Sequence, residues 1–583
     1  MTMRRSLASF LYLAGLLCAA PGHAASLAGD IRDLNGKPVA GAMVSVSTTL
    51  PGPTATTVFA DASGHFTFPA STAFTQDGVK LSVRALGYEL LDSSTRKAGA
   101  DALEATLVVK ATANQIQSAP ASAWLGRVKD HDANATFIMD CVGCHQVPGG
   151  QFRLYAGTIA DIPGADRADI AHQSYGALVK YMNFISAEEF ARGPNPPALD
   201  AQNVYSVGNG ERVVKFLTER FPGRMGEVSG YSWGAPLAVT PKTAIYEYEL
   251  PRPNAIREAV LLGNPQKLYA ADVSSSRILT VDPVTGKTGV IDIPWKDPVG
   301  PHSLHRDPDG SLWITPFVVS AVSHLDVNTG TFRMYPLKTK AGKPSGIHDL
   351  SNGPNHAVLT DKSGKIWFSD IVNDAVGYLD PKSGAIEFYP APKVKGREGN
   401  GALYGFVMSP DREHVWFSEL NIGRIGSFNV KTRKFEDSVL LPMNSGPRRI
   451  AISDDGILYA ALYGSGQLYA YDTNKHQPIG LYDLPDRASA PYATTWDPVR
   501  KVVWVPTSNA DVIYRFNPAD HSTTALPMPR TGAFLRMVDI DPPTGRLVTS
   551  YANIVENVHG PRMALIIEPG DGAYDAKKKE GAR

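Results

Sequence analysis

In the stretch Asp140-Cys141-Val142-Gly143-Cys144-His145, residue types and spacing point to one chemistry. Two thiols separated by two residues can add to the two vinyl groups of a porphyrin, and the imidazole that follows can take one axial face of its iron. This Cys-x-x-Cys-His pattern is the signature of covalent haem c attachment. The chain has three cysteines, and Cys18 lies in a leader expected to be removed, so both remaining thiols belong to the pattern. A structural zinc site would need a second pair of ligands, which the sequence lacks. A redox dithiol of the thioredoxin type would need a βαβ setting, and no strand-like apolar runs flank the motif.

Helices must position such a motif. Trp124 to Ile138 reads as a helix running into it, and Tyr175–Phe184 and Glu211–Phe221 carry apolar residues at helical spacing. A helix before the motif and another at the C-terminal end resembles a class I cytochrome c domain, over 121–225. The resemblance implies a methionine opposite the histidine. Met182, 37 residues after His145 and just ahead of a helix start capped by Ser186, is the candidate, with Met225 and His172 as rivals. Met139 is too close to reach the other face. A thioether there would raise the potential, a second imidazole would lower it, and an open face would admit a ligand.

The leader is Met1 to about Ala24. Arg4 and Arg5 precede an apolar run from Phe10 to Ala20, and Gly22-His23-Ala24 offers a cleavage site, as in a secretory signal. Export to the periplasm fits covalent haem attachment, and no later run is apolar for long enough to span a membrane. Lys+Arg and Asp+Glu both number 57 in 583 residues, which argues against nucleic acid or an anionic membrane as partner. Length predicts several domains. Gly 53 and Pro 44 predict many turns, hence a mainly β chain of short strands.

Residues 26–111 alternate apolar with small or polar residues around turns at Asn35-Gly36 and Asp61-Ala-Ser-Gly64, as a small β-sandwich would. Gly29, Gly36-Lys-Pro-Val-Ala-Gly-Ala42, Gly64-His-Phe66 and Gly87-Tyr88 resemble the carboxypeptidase regulatory-like family, which implies an accessory module. No clustered ligands or paired carboxylates occur there, so a spacer or docking role is expected. A polar connection, Ala111 to Pro120, follows.

From Tyr246 the sequence repeats. Tyr269, Trp313, Trp367, Trp416, Tyr459, Trp504 and Leu547-Val548 mark one strand in seven units, spaced 43 to 54 residues apart, as four-stranded propeller blades would be. Tyr246-Glu-Tyr-Glu-Leu-Pro251 has an outer-strand pattern and is expected to complete the last unit, which ends at Met563–Ile567. Trp367-Phe-Ser-Asp370 and Trp416-Phe-Ser-Glu-Leu-Asn-Ile-Gly-Arg-Ile425 resemble the virginiamycin B (streptogramin) lyase family over 245–568, implying a seven-bladed β-propeller; a polar tail, 569–583, follows.

Stepping back eleven or twelve residues from each marker lands on the start of the innermost strand. Those positions are His302, His356, Tyr404, Arg448, Tyr492 and Arg536, with Arg257 or Glu258 in the first unit. Imidazoles, phenols and guanidiniums there suit an anionic or aromatic ligand on the axis, or simply trapped water. Three residues after the marker stand Asp272, Asp370 and Glu419, able to hold a divalent metal or to exchange protons. The lyase family uses histidine and glutamate near a divalent metal, and His302, His356 and Glu419 are the nearest counterparts, without a residue-by-residue match.

The expectation is therefore an exported c-type cytochrome fused to a ligand- or partner-binding propeller, exchanging single electrons with a periplasmic redox protein such as a dehydrogenase. A lyase-like enzyme at the propeller axis and a haem-containing binding scaffold are the alternatives.

Overall fold

The computed structural model describes residues 26–575 apart from 48–51, 71, 73–78, 100–101, 144, 162–168, 180–209, 253, 296–298, 308, 317–318, 338–354, 372 and 554–560. The leader, Cys144 and Met182 therefore lie outside the described residues.

The chain is mainly β. Residues 256–527 form six antiparallel sheets of four consecutive strands each. Each marker aromatic sits on the second strand of its sheet, and three of them reach the third strand of the next. Trp367 packs on Phe428, Trp416 on Tyr471 and Tyr459 on Phe516, with ring centroids 5.6, 5.5 and 6.3 Å apart. At these three places the periodic aromatic is thus a bolt between neighbouring sheets. Outer strands such as Lys434–Leu440 alternate exposed and half-buried residues, while second strands such as Leu312–Pro316 are buried throughout.

A seventh set of four strands runs Asp539–Ile540, Leu547–Ser550, Met563–Glu568 and Ala244–Glu249. Its last pairing, Leu565 opposite Glu247, stitches the two ends of the repeat region together, as the outer-strand pattern of Tyr246–Pro251 predicts. The first strands pack on one another in turn: Ile256–Leu262, Pro301–Arg306, Asn355–Thr360, Leu403–Met408, Pro447–Ile452, Thr495–Asp497 and Asp539–Ile540, which packs again on Ile256–Leu262.

The N-terminal unit is not a separate bead. Ala55–Phe59 pairs with Ala244–Glu249, and Met43–Ser47 and Lys80–Arg84 continue the same sheet to seven strands. Backbone pairing at an open edge replaces the spacer expected from the sequence. The facing sheet (His65–Thr67, Ser26–Asp33, Ala102–Ala111, Tyr88–Gly99) closes a core around Leu27, Ile31, Val44, Phe66 and Leu107.

Helices α1 (Ser122–Leu125), α2 (His131–Cys141), α3 (Gly150–Ala160) and α4 (Gly210–Arg220) lie between these β regions, with a further helical stretch at 169–179. The single helix expected over Trp124–Ile138 is two. α1 stops at Gly126, and α2 restarts where the Asp130 carboxylate accepts from the Ala133 N–H at 3.0 Å. α2 crosses α4 through Phe137 stacked on Phe216, centroids 4.3 Å apart, and through Arg212 bonded to Asp140 at 2.5 and 2.6 Å. The helices are not distinguishable as an independent cytochrome domain over 121–225. Phe137, Ile138 and Val142 share one core with Tyr404, Tyr463, Tyr492 and Phe534 of the sheets. Among the described residues no helix is long and apolar enough to cross a membrane.

Candidate functional site

The first residues of the inner strands converge. His302, Tyr404, Arg448, Tyr492 and Arg536, each on a different first strand or leading into one, are all buried. Arg536 Nη2 donates to His302 Nε2 at 3.3 Å and to the Tyr404 hydroxyl at 3.4 Å, and it also reaches the Tyr492 hydroxyl. The two phenol oxygens touch each other. With Nε2 accepting, His302 Nδ1 carries the proton and donates to Ser303 Oγ at 2.9 Å. Burial first, then Arg536 and Arg257, hold this imidazole well below its ordinary pKa, so it is neutral. Burial alone would raise Tyr492, but Arg536, Arg448 and Arg449 together bring it below the usual phenol value.

The Arg448 guanidinium lies over three rings, 3.7 Å from the centroid of Tyr463, 4.5 Å from Tyr492 and 5.4 Å from Tyr404. Strand alternation separates the two candidates of the first sheet. Arg257 donates to the Ala552 carbonyl at 3.4 Å, whereas Glu258 accepts from the Leu304 N–H at 3.0 Å and pairs with Arg449. His356 lies on the strand Asn355–Thr360, with its side chain outside the described residues.

The acids expected to form a second ring are instead used locally. Asp272 accepts from the Ala255 N–H at 2.9 Å and pairs with Arg277 at 2.8 Å. Asp370 accepts from the backbone and side chain of Asn373 at 3.0 and 2.8 Å. Glu419 pairs with Arg424. Burial and the neighbouring Asp374 push Glu419 up to about 8 against the pull of Arg424. Among the described residues, the group of side chains able to hold a metal ion is not at the converging strand starts. It is Asp307, Asp309 and His324, whose ligand atoms all lie within 4.8 Å of one another. Asp307 follows the far end of the strand that His302 begins, about 16 Å along it at the usual strand rise.

The cysteine motif lies against these strand starts. Cys141 ends α2, and the Val142 carbonyl accepts from the Tyr463 hydroxyl. His145 is buried, with Nδ1 at 2.8 Å from the Gln146 carbonyl. A carbonyl only accepts, so Nδ1 bears the proton and Nε2 the lone pair. Burial keeps the ring below its ordinary pKa, hence neutral. The next two residues are clamped by the sixth sheet. Gln146 Nε2 donates to Asp511 Oδ1 at 2.6 Å, the Val147 N–H donates to Asn509 Oδ1 at 3.0 Å, and Asn509 Nδ2 returns a bond to the Val147 carbonyl at 3.1 Å. Of the rivals to Met182, Met225 is buried in the shared core and His172 is exposed.

Sequence reasoning missed Tyr463, Asn509, Asp511 and Gln146. Tyr463 stands four residues after its marker, an offset filled by apolar Val273, Phe317, Ile371 and Leu420 but by Ser508 in the sixth unit, so its hydroxyl is only a weak departure from the pattern. Asn509 and Asp511 read as ordinary turn residues.

Residues 237–469 match the model of the virginiamycin B lyase family. Among solved structures, virginiamycin B lyase from Staphylococcus aureus is 16% identical, with a TM-score of 0.46, covering 55% of this chain and 98% of that one. A streptogramin B lyase structure is 20% identical, with a TM-score of 0.45, covering 56% of this chain and 97% of that one. No curated protein matches the chain.

Proposed function

We propose that this chain is an exported c-type haem protein that exchanges single electrons with a periplasmic redox partner. In this reading residues 121–225 carry the haem, and they sit on the end of a seven-bladed propeller built by 245–568. The observation that carries it is His145: a buried, neutral imidazole directly after the cysteine pair, its Nδ1–H committed to a backbone carbonyl, which puts the lone pair that could ligate iron on Nε2. That donor set fits haem c. Cys141 and Cys144 would hold the porphyrin, and His145 one face of the iron, with Met182 as the candidate for the other. When bound, the group supplies reversible one-electron chemistry. The chain's own residues prepare for it. Phe137, Ile138 and Val142 exclude water beside the motif, and the Asp140–Arg212 pair pins the end of α2.

The propeller reading is supported by first strands that pack in turn and return to the first, and by the strand Ala244–Glu249 pairing with Met563–Glu568. Residues 26–111 are proposed as a carboxypeptidase regulatory-like module grafted on the seventh blade. The axial cluster, rich in guanidinium and phenol groups, suits an anionic or aromatic group.

The family match over 237–469 favours a second reading, a lyase-like enzyme acting at the axis. Against it, His302, Tyr404 and Arg536 are fully buried beneath the helical segment, so a macrocycle reaches them only if that segment moves.

One experiment separates the two. The full chain, purified from a host that matures c-type cytochromes, should be coloured, keep one haem through a denaturing gel and titrate reversibly; Cys141→Ala/Cys144→Ala should lose all three properties. A colourless protein with two reactive thiols overturns the haem reading. If that colourless protein opens a cyclic depsipeptide with a divalent metal, and His302→Ala abolishes turnover, the second reading replaces it.

A further inference from the structure

We propose that Gln146 is a positioning residue for His145, held in place from outside the helical segment by Asp511 of the sixth sheet and Arg84 of the N-terminal unit. The proposal rests on the haem reading for its redox consequence, though its geometry does not. The Gln146 carbonyl can face His145 Nδ1 only while the rest of the residue is fixed, and its amide is fixed at both ends. Nε2 donates to Asp511 Oδ1 at 2.6 Å and to the Ala533 carbonyl at 3.1 Å, while Oε1 accepts from the Ala121 N–H at 3.3 Å.

Asp511 is itself fully buried and anchored. Its Oδ1 also accepts from the Ala533 N–H at 2.7 Å, and its Oδ2 accepts from Arg84 Nη2 at 2.8 Å. Arg84 is buried too, and its remaining donors reach the carbonyls of Ser118 at 3.2 and 2.6 Å, Met528 at 2.6 Å and Arg530 at 2.8 Å. A hydrogen bond from the distal ring nitrogen fixes the orientation of a ligating imidazole and makes its other nitrogen a stronger donor. Three parts of the chain that are far apart in sequence therefore converge on the electronics of one ring.

The turn that carries Asp511 has a twin at Asp374, which accepts from the Gly401 N–H at 3.0 Å and, among the described residues, serves no imidazole. Holding the turn together is thus separable from orienting His145.

The test uses the full chain. Gln146→Met keeps the volume and the backbone carbonyl but removes the amide clamp. In the haem-loaded protein it should raise the midpoint potential, because a looser imidazole stabilises the ferric state less. The expected change is about tenfold in the oxidised-to-reduced ratio, equivalent to about 59 mV for one electron. Asp511→Asn should shift it in the same direction by less, and Asp374→Asn should leave it unmoved. In the haem-free protein, nitrogen shifts of selectively labelled histidine should show His145 as the Nδ1–H form in the wild type and as a mixture of tautomers in Gln146→Met. A wild-type ring that is not the Nδ1–H tautomer, or a Gln146→Met protein with unchanged tautomer and unchanged potential, overturns the proposal. A colourless wild-type protein counts against the haem reading alone, and the tautomer measurement still decides this one.

Discussion

Asp374 and Asp511 stand in matching turns of the third and sixth sheets, each seven residues after its marker, Trp367 or Trp504. Both have left-handed backbone, φ 54° and 51°, where the fourth and fifth sheets use Gly423 and Gly466. Asp and Asn tolerate that conformation better than other side chains, and here the carboxylate has a use. Each accepts from the backbone N–H that leads into the next inner strand, Gly401 for Asp374 and Ala533 for Asp511. Beyond that they diverge. Asp374 has an exposed lysine, Lys393, at 3.7 Å and the buried Glu419 beside it, so its surroundings stay within the sheets. Asp511 takes up Arg84 and Gln146 instead, and neighbouring backbone joins in: the Asn509 carbonyl accepts from the Ser122 N–H at 2.9 Å and the Ala510 carbonyl from Trp233 Nε1 at 2.8 Å. A turn that serves the repeat becomes a docking site when outside donors fill lone pairs the repeat leaves over.

The largest expected effect is at that docking turn. Asp511→Ala strands a buried guanidinium, because Arg84 is only 7% exposed and Asp511 is the carboxylate paired with it. Breaking a buried pair from one side typically costs about 3–5 kcal/mol. Asp374→Ala should cost only about 1–2 kcal/mol, the loss of one backbone bond plus a weak ion pair. The strain of alanine at a positive φ is common to both and cancels. Urea unfolding of the full chain measures the difference; equal costs would erase the distinction between the two turns.

What could be read from the sequence follows the same division. The marker aromatics were legible because they fill one repeated place on the second strand, from which Trp367, Trp416 and Tyr459 bolt onto the next sheet, and a repeated place leaves a period. His302, Tyr404, Arg448, Tyr492 and Arg536 followed from it at a fixed offset, and the structure brings them together. For the acids the type was visible and the partner was not, yet Asp272…Arg277 and Glu419…Arg424 share a five-residue spacing that announces an ion pair across a turn. The pairing of Ala55–Phe59 with Ala244–Glu249 was illegible for a different reason: backbone at a sheet edge carries no side-chain code. Nor does a sequence reveal that Asn509 and Asp511 face another segment rather than solvent.

A second, smaller effect belongs to the Asp374 side alone, since the second strand of the seventh set, which follows Asp511, ends on Ser550 where that of the fourth sheet, which follows Asp374, ends on Glu419. Burial and Asp374 raise Glu419 from an ordinary 4.5 to about 8. Between those values the folded chain holds a proton that the unfolded chain releases. The unfolded state thus binds fewer protons, and this group makes stability fall as pH rises from about 4.5 to about 8, by at most about 1.4 kcal/mol per pH unit. Glu419→Gln should flatten that part of the profile, whatever it does to stability overall. Urea midpoints at pH 5, 6, 7 and 8 compare the two proteins, and parallel profiles would place the proton elsewhere.

The smallest effect tests whether Asp374 needs a cation at all. The Lys393 side chain is 73% exposed with its Nζ 3.7 Å from the carboxylate, and a pair of that kind in water contributes less than about 0.5 kcal/mol. Lys393→Met should therefore leave the unfolding midpoint almost unchanged, while Arg84→Met, the same replacement on the other side of the comparison, should cost several-fold more because it strips a buried carboxylate and empties four carbonyl contacts at once. A Lys393→Met penalty above about 1 kcal/mol would mean that the third-sheet turn also depends on an outside charge. The two aspartates would then differ in partner rather than in kind, and the docking role assigned to Asp511 would rest on Gln146 alone.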